Sequence, residues 1–104
     1  MSEETEMDET IREFLVEAQE NMEQGYKDLE ALQANPSNLE PIRSLFRSIH
    51  SIKGASGFFN FSTLEGVAHF CEDILSKVRD GKFLLVPDRV ALIYEGADAI
   101  DKTL

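Results

Sequence analysis

Apolar residues recur every three or four positions along almost the whole sequence. Four such stripes occur, over residues 5–32, 38–57, 62–80 and 87–104. This spacing places the apolar side chains of each segment on one face of an α-helix. Because turn-forming residues separate the segments, the pattern predicts an all-α fold, an antiparallel up-down four-helix bundle. The predicted core positions, in chain order, are Met7, Ile11, Phe14, Leu15, Ala18, Met22, Tyr26, Leu29, Leu32, Ile42, Leu45, Phe46, Ile49, Ile52, Ser56, Leu64, Val67, Ala68, Cys71, Ile74, Leu75, Val78, Val90, Ile93, Tyr94, Ala97, Ile100 and Leu104.

Particular residues mark the ends of the predicted helices. The string Asn35-Pro36-Ser37 ends the first helix, and Pro41 fits the first turn of the second. Ser62 and Glu65 have the spacing of a capping box, which predicts Ser62 as the N-cap of the third helix. Gly81 stands just past the third helix, where glycine is common.

The connections that follow the second and third predicted helices have sequence patterns of their own. Phe58, Phe59 and Phe61 are predicted to form a hydrophobic plug that caps one end of the bundle. Residues 82–86 have the propensity of a short strand, but a lone strand has no partner in a helical bundle.

The chain is strongly acidic. Its 104 residues include 20 Asp and Glu against 10 Lys and Arg, which gives a net charge of −10. That charge argues against nucleic acid and anionic membranes as partners, since both attract positive charge. No apolar run approaches the roughly 20 residues of a membrane span, and the acidic start does not resemble a secretory signal. One cysteine excludes an internal disulfide, so we expect a cytoplasmic protein with a single domain over residues 1–104.

An unusual polar face lies in the second predicted helix. His50 is followed by Lys53 after three residues, by Gly54 after four and by Gly57 after seven. At helical periodicity these positions share one face. Each interior glycine costs a helix roughly 1 kcal/mol relative to alanine, so helix propensity does not account for this pair. We interpret the glycines as open space beside an accessible imidazole.

The third predicted helix carries a second polar pair. His69 and Glu72 are three residues apart, on one face. If the second and third helices form an antiparallel hairpin that turns near residues 58–61, His69 lies at about the same height as His50. Glu72 lies about one helical turn beyond His69. The pair then converges with His50 and Lys53 on one patch, provided that the two faces turn toward each other.

These residue types suit one class of chemistry. A carboxylate beside an imidazole accepts a hydrogen bond from one ring nitrogen, fixes the tautomer and makes the other nitrogen the better nucleophile. Lys53 adds positive charge where an anion would be held, so the combination favours acceptance of a phosphoryl group by His50. The sequence contains no Gly-rich phosphate loop and no nucleophile-elbow serine. The phosphoryl group would therefore come from another domain that binds ATP and Mg²⁺.

The strings that carry these residues resemble a known family. They are LFRSIHSIKGASGFFNF over residues 45–61 and VAHFCEDIL over residues 67–75. Both resemble the histidine phosphotransfer (HPt) domain and, within it, the amino-terminal phosphotransfer domains of CheA-type chemotaxis histidine kinases. The resemblance covers essentially the whole chain. Two features depart from it: Ala55 stands where such domains often carry a second glycine, and the sequence stops near the end of the fourth helix, where they usually continue into a fifth helix and further domains.

The resemblance implies a phosphocarrier in a two-component phosphorelay. His50 would be phosphorylated by a CheA-type kinase catalytic domain and would pass the group to an aspartate of a response-regulator receiver domain. The residues implied for its polar network are Lys53, His69 and Glu72. Gly54 and Gly57 would leave room for partner docking. No cofactor or metal is implied for this domain itself, because ATP and Mg²⁺ bind to the partner domain.

Three other interpretations stay open. The chain could be an HPt domain of a phosphorelay outside chemotaxis, or a non-catalytic helical module that mediates assembly. It could also hold a metal on His50, His69, Glu72 and Cys71. The metal site is disfavoured because Cys71 is two residues from His69, so the two point apart on a helix, and because Lys53 would repel a cation. Substitution of His50 by Gln separates a phosphocarrier from a purely structural module.

Overall fold

Four helices account for nearly all of the described chain. The computed structural model describes residues 3–35, 37–81 and 87–104. The helices are α1 (Glu3–Ala34), α2 (Glu40–Phe58), α3 (Ser62–Arg79) and α4 (Pro87–Thr103). Each helix packs on its neighbour along the chain and α4 closes on α1, whereas the backbones of the diagonal pairs lie further apart among the described residues. This arrangement confirms the predicted all-α four-helix bundle.

The predicted stripes supply the core. Burial of each large apolar side chain contributes roughly 1.5–3 kcal/mol to folding. The buried hydrophobic residues are Phe14, Ala18, Met22, Leu29, Leu32, Ile42, Leu45, Ile49, Ile52, Leu64, Ala68, Cys71, Leu75, Val78, Ile93, Ala97 and Ile100. Met7 is an exception, since half of it is exposed. Ile11 and Leu104 line the same cavity at the end of the bundle, so the turns of α1 before Ile11 extend beyond its neighbours. The side chain predicted at Val90 lies outside the described part.

A close approach of α1 to α2 fixes the position of the helix that carries His50. Gly25 is buried in α1, and a Cβ added there would lie 3.0 Å from Leu45 Cδ1. A larger residue at position 25 would require the Leu45 side chain to shift within the packed core.

The connection between α2 and α3 is short and tightly bonded. The N–H of Phe59 donates to the carbonyl of Ala55 at 3.1 Å, and the N–H of Phe61 donates to the carbonyl of Ser56 at 2.9 Å. Asn60 between them has φ of 60°, a left-handed conformation that asparagine tolerates better than most residues. This turn brings α3 back antiparallel beside α2.

The predicted aromatic plug forms, with one member at its outer edge. The rings of Phe59 and Phe61 lie 5.5 Å and 5.9 Å from the ring of Phe14, centroid to centroid. The ring of Phe58 packs edge-on against that of Phe59, with 5.1 Å between centroids. Phe58 is 74% exposed, so it covers the plug from outside without being buried in it.

The helix ends differ from expectation at one place. Phe61 holds the N-cap position of α3, Ser62 is already helical, and no side chain caps the helix. The predicted cap at Ser62 is therefore wrong by one residue, because the bonded turn leads Phe61 directly into the helix. Gly81 follows α3 with φ of 76°, as its sequence position predicts. Residues 82–86, considered for a strand, lie outside the described residues. Among the described residues, no helix combines the length and the apolar character that a membrane crossing requires.

Candidate functional site

His50 projects from the middle of α2 at the edge of the buried face. Its neighbours Ile49 and Ile52 are about 1% exposed, so the backbone beneath the imidazole is anchored in the core. The imidazole side chain itself is 61% exposed. An anchored backbone with an accessible ring is the arrangement that a group needs if it reacts with another protein.

A carboxylate from the neighbouring helix meets this ring. Glu72 of α3 places Oε2 3.0 Å from His50 Nδ1, and Lys53 donates from Nζ to Oε1 of the same carboxylate at 2.9 Å. The Glu72 side chain is only 15% exposed. The two helices therefore build a network of three residues, in which Lys53 holds the carboxylate that faces the imidazole.

The ionisation of Glu72 determines which ring nitrogen of His50 carries the hydrogen. Burial by itself raises the pKa of this carboxyl, but the hydrogen bonds and charges of Lys53 and His50 outweigh burial and hold the pKa below its ordinary value of 4.5. A carboxylate only accepts hydrogen bonds, so His50 donates from Nδ1–H. The lone pair of a neutral imidazole then lies on Nε2, away from Glu72.

An aromatic ring lies against the imidazole. The Phe46 ring is 6.0 Å from the His50 ring between centroids, with only 9° between their planes. On the Phe46 ring lies the guanidinium of Arg79, whose Cζ is 4.7 Å from the centroid. Phe46 was expected only in the core stripe and Arg79 was not singled out, so sequence reasoning missed both. The four-residue spacing of Phe46 and His50 on one helix was the available signal.

His69 lies outside the network of His50, Lys53 and Glu72. Its side chain is also 61% exposed, and its Nε2 lies 3.7 Å from Oδ2 of Asp73, four residues further along α3. Asp73 is 62% exposed, so this pair is solvated and contributes little. Of the four residues expected to converge, the structure joins three by hydrogen bonds and gives His69 a partner on its own helix.

The two glycines beside His50 have different surroundings. A Cβ added at Gly54 would meet nothing within 4 Å, whereas one added at Gly57 would lie 3.1 Å from Oε2 of Glu65. Gly54 thus faces open space next to the imidazole. Gly57 faces α3, where its small size accommodates a side chain of the same molecule.

Of the four residues of the alternative metal site, only His50 and Glu72 are in contact. Cys71 is buried, and its Sγ would lie 2.5 Å from a Cβ added at Gly96 of α4, so it faces away from the His50 network. Burial raises the pKa of its thiol to about 11, which keeps it in the protonated form that binds metals poorly. No group of three His, Cys, Asp or Glu side chains suited to a metal occurs within the described ranges.

Comparisons with known proteins agree with this geometry. The family profile described as "Hpt domain" matches residues 9–103. The sensor histidine kinase CheAY of Helicobacter pylori is 37% identical over 98 residues, which make up 94% of this chain and 12% of that protein. The chemotaxis protein CheA of Halobacterium salinarum is 33% identical over 98 residues, 94% of this chain and 15% of that protein. The chain thus spans only a small fraction of the length of these curated relatives.

Solved structures extend the likeness to three dimensions. A CheA phosphotransferase domain from Thermotoga maritima matches with a TM-score of 0.84 and 31% identity, covering 90% of each chain. A computationally redesigned four-helix bundle also matches with a TM-score of 0.84, but at 20% identity it supports the fold alone. With a family match over nearly its whole length and this structural relative, the chain belongs to the Hpt domain family and is closely related to the CheA phosphotransferase domains.

Proposed function

We propose that this chain is a phosphocarrier whose His50 accepts a phosphoryl group from a separate CheA-type kinase catalytic domain. The same histidine then passes the group to an aspartate of a response-regulator receiver domain. The observation that carries the proposal is the contact of 3.0 Å between His50 Nδ1 and the Glu72 carboxylate. It leaves Nε2 as the nucleophile on an imidazole that is exposed to a partner.

The acceptance step follows from this tautomer. The Nε2 lone pair attacks the γ-phosphorus of ATP, an N–P bond forms, and the bond to the bridging oxygen breaks with its electron pair on ADP. Because Nδ1 keeps its hydrogen, the imidazole becomes positively charged as the new bond forms. Glu72 stabilises that charge through the existing hydrogen bond.

The donation step reverses the same electron flow. A carboxylate oxygen of the receiver aspartate attacks phosphorus, and the N–P electron pair returns to Nε2. The retained Nδ1–H makes the imidazole a good leaving group. Lys53, which lies 2.9 Å from Glu72, holds the carboxylate and places positive charge near the phosphoryl oxygens.

The remaining requirements belong to the partners. ATP and Mg²⁺ would bind to the kinase domain, and Mg²⁺ would also bind to the receiver domain. Both steps need more positive charge beside the phosphoryl oxygens than the network of His50, Lys53 and Glu72 supplies. The open space at Gly54 would admit either partner to the imidazole. We place this exchange in the cytoplasm, with residues 1–104 acting as one HPt domain.

The test is phosphorylation by a CheA-type kinase core with radiolabelled ATP, followed by mapping of the label. We expect one acid-labile phosphoryl group on the unaltered chain and none on His50→Gln, with the same thermal unfolding midpoint for both proteins. His69→Gln is the matched control and keeps the label. Label retained by the His50→Gln protein would refute the proposal.

A further inference from the structure

A basic surface lies next to His50 on an otherwise acidic chain. Arg43, Phe46, Arg47 and Arg79 line a shallow pocket of about 310 Å³, and the guanidinium of Arg79 lies over the Phe46 ring. We call these four residues the arginine surface. Of the two helices that form it, α2 carries three basic residues and one acidic residue and α3 two basic and three acidic, whereas α1 carries two basic and eleven acidic residues. Positive charge is therefore concentrated on the side of the bundle that presents the imidazole.

The arginine surface is continuous with the imidazole. Arg47 precedes His50 by three residues and Arg43 precedes it by seven, which correspond to about 4.5 Å and 10.5 Å along the helix axis. Phe46 bridges the two features, since its ring is parallel to the His50 ring within 9°. A protein that reaches His50 from this side must contact the arginines.

The three guanidinium groups can bind a partner at small cost. Arg47 is exposed and forms no ion pair or hydrogen bond with any described residue. Arg43 pairs with Glu40, but both side chains are about half exposed or more, and such pairs contribute little. Arg79 is held in place by Phe46 and by hydrogen bonds of 3.2 Å to Ser76 Oγ and Asp80 Oδ1.

We infer that the arginine surface docks the receiver domain, by pairing with the carboxylates that surround its acceptor aspartate. This inference rests on the proposed function. An aspartate that accepts a phosphoryl group with Mg²⁺ lies among further carboxylates, because Mg²⁺ is bound through them. Guanidinium groups bind carboxylates in a bidentate geometry. The kinase site must instead supply cations to the phosphates of ATP, so three arginines would face like charge there.

The experiment measures binding and transfer with a chemotaxis receiver domain and Mg²⁺. In the triple variant Arg43→Gln, Arg47→Gln, Arg79→Gln, we expect the Kd for the receiver domain and the half-saturating receiver concentration for transfer to rise about tenfold. The maximal transfer rate stays within about twofold, because the His50 network is intact. The dependence of affinity on ionic strength also weakens.

Two matched variants control for net charge and for folding. Arg12→Gln, Lys27→Gln, Lys102→Gln removes three exposed charges from α1 and α4 and should leave the Kd unchanged. Replacement of the same three arginines by Lys keeps the charge but not the bidentate geometry, so it should restore only part of the affinity. An unchanged Kd in the Gln variant, an equal loss in the α1 and α4 variant, or failure of the unaltered chain to bind the receiver domain would overturn the inference.

Two further measurements separate this inference from the proposed function. Phosphorylation of His50 by phosphoramidate needs no protein partner, so its failure would count against the phosphocarrier chemistry while the Kd still reports on docking. Phosphorylation by the kinase core should be the same within about twofold in the Gln variant. A tenfold loss in that step with an unchanged Kd for the receiver domain would assign the arginine surface to the kinase and overturn the inference.

Discussion

His50 and His69 have equally exposed side chains, 61% each, on adjacent antiparallel helices, yet their carboxylate partners differ in every respect. The partner of His50 comes from the other helix, is 15% exposed and contacts Nδ1 at 3.0 Å. The partner of His69 comes from the same helix, is 62% exposed and lies 3.7 Å from Nε2. Exposure alone therefore does not distinguish the proposed phosphoryl acceptor. The difference lies in a sheltered carboxylate that orients one ring and leaves its outer nitrogen unprotonated.

The largest effect that would test this comparison is steric. Gly54 beside His50 and Gly66 beside His69 both face open space. Leu at either position should stabilise its helix by up to roughly 1 kcal/mol. Only Gly54→Leu should reduce transfer to protein partners, by about a hundredfold, because displacement of the reacting atoms by 1 Å has that effect. Transfer rates for both variants, with urea unfolding as the check on stability, measure this; equal rates would contradict the role of Gly54.

The next effect concerns the carboxylates. Glu72→Ala should slow acceptance about ten- to a hundredfold without abolishing it, since a hydrogen bond to a charged group contributes about 1.5–3 kcal/mol. Asp73→Ala removes the matching carboxylate of His69 and should change the rate less than about twofold. Rapid-quench phosphorylation by the kinase core measures both rates. An unaltered rate in Glu72→Ala would remove the basis of the proposed network.

A smaller effect is expected for the second histidine itself. His69→Gln should keep acceptance within about threefold of the unaltered chain, because an exposed ion pair contributes about 1 kcal/mol at most. The family resemblance places His69 in the polar network, so this rate also decides between the two assignments. A loss as large as that of Glu72→Ala would show that His69 belongs with His50, Lys53 and Glu72.

The smallest effect is on stability as a function of pH. The pKa of Glu72 is lowered in the folded chain, so its contribution is present above pH 4.5 and is lost as pH falls through the folded value. Glu72→Gln should therefore be less stable than the unaltered chain by about 1 kcal/mol at pH 7 and equally stable in strong acid. Urea unfolding midpoints from pH 2 to pH 8 test this. A constant difference over that range would contradict it.

The helical periodicity was sufficient to predict the bundle. Apolar residues spaced by three and four positions gave each segment one face to bury, and Pro41 and Gly81 marked helix ends. The rotation of α3 about its own axis could not be predicted from the sequence. Height along a hairpin follows from residue counts, but with Ala68 and Cys71 in the core, Glu72 faces α2, whereas His69, about 60° further around the helix, faces solvent. The contact of Arg79 with Phe46 depends on that same rotation.

The tautomers of the two histidines test the central claim most directly. Nitrogen-15 NMR of the ring atoms at pH 8.5, where an ordinary imidazole is neutral, reports which nitrogen carries the hydrogen. The geometry predicts His50 with hydrogen on Nδ1 and an unprotonated Nε2, in contrast to His69, and predicts that this preference disappears in Glu72→Ala. Hydrogen on Nε2 of His50, or the same tautomer mixture for both histidines, would contradict the account.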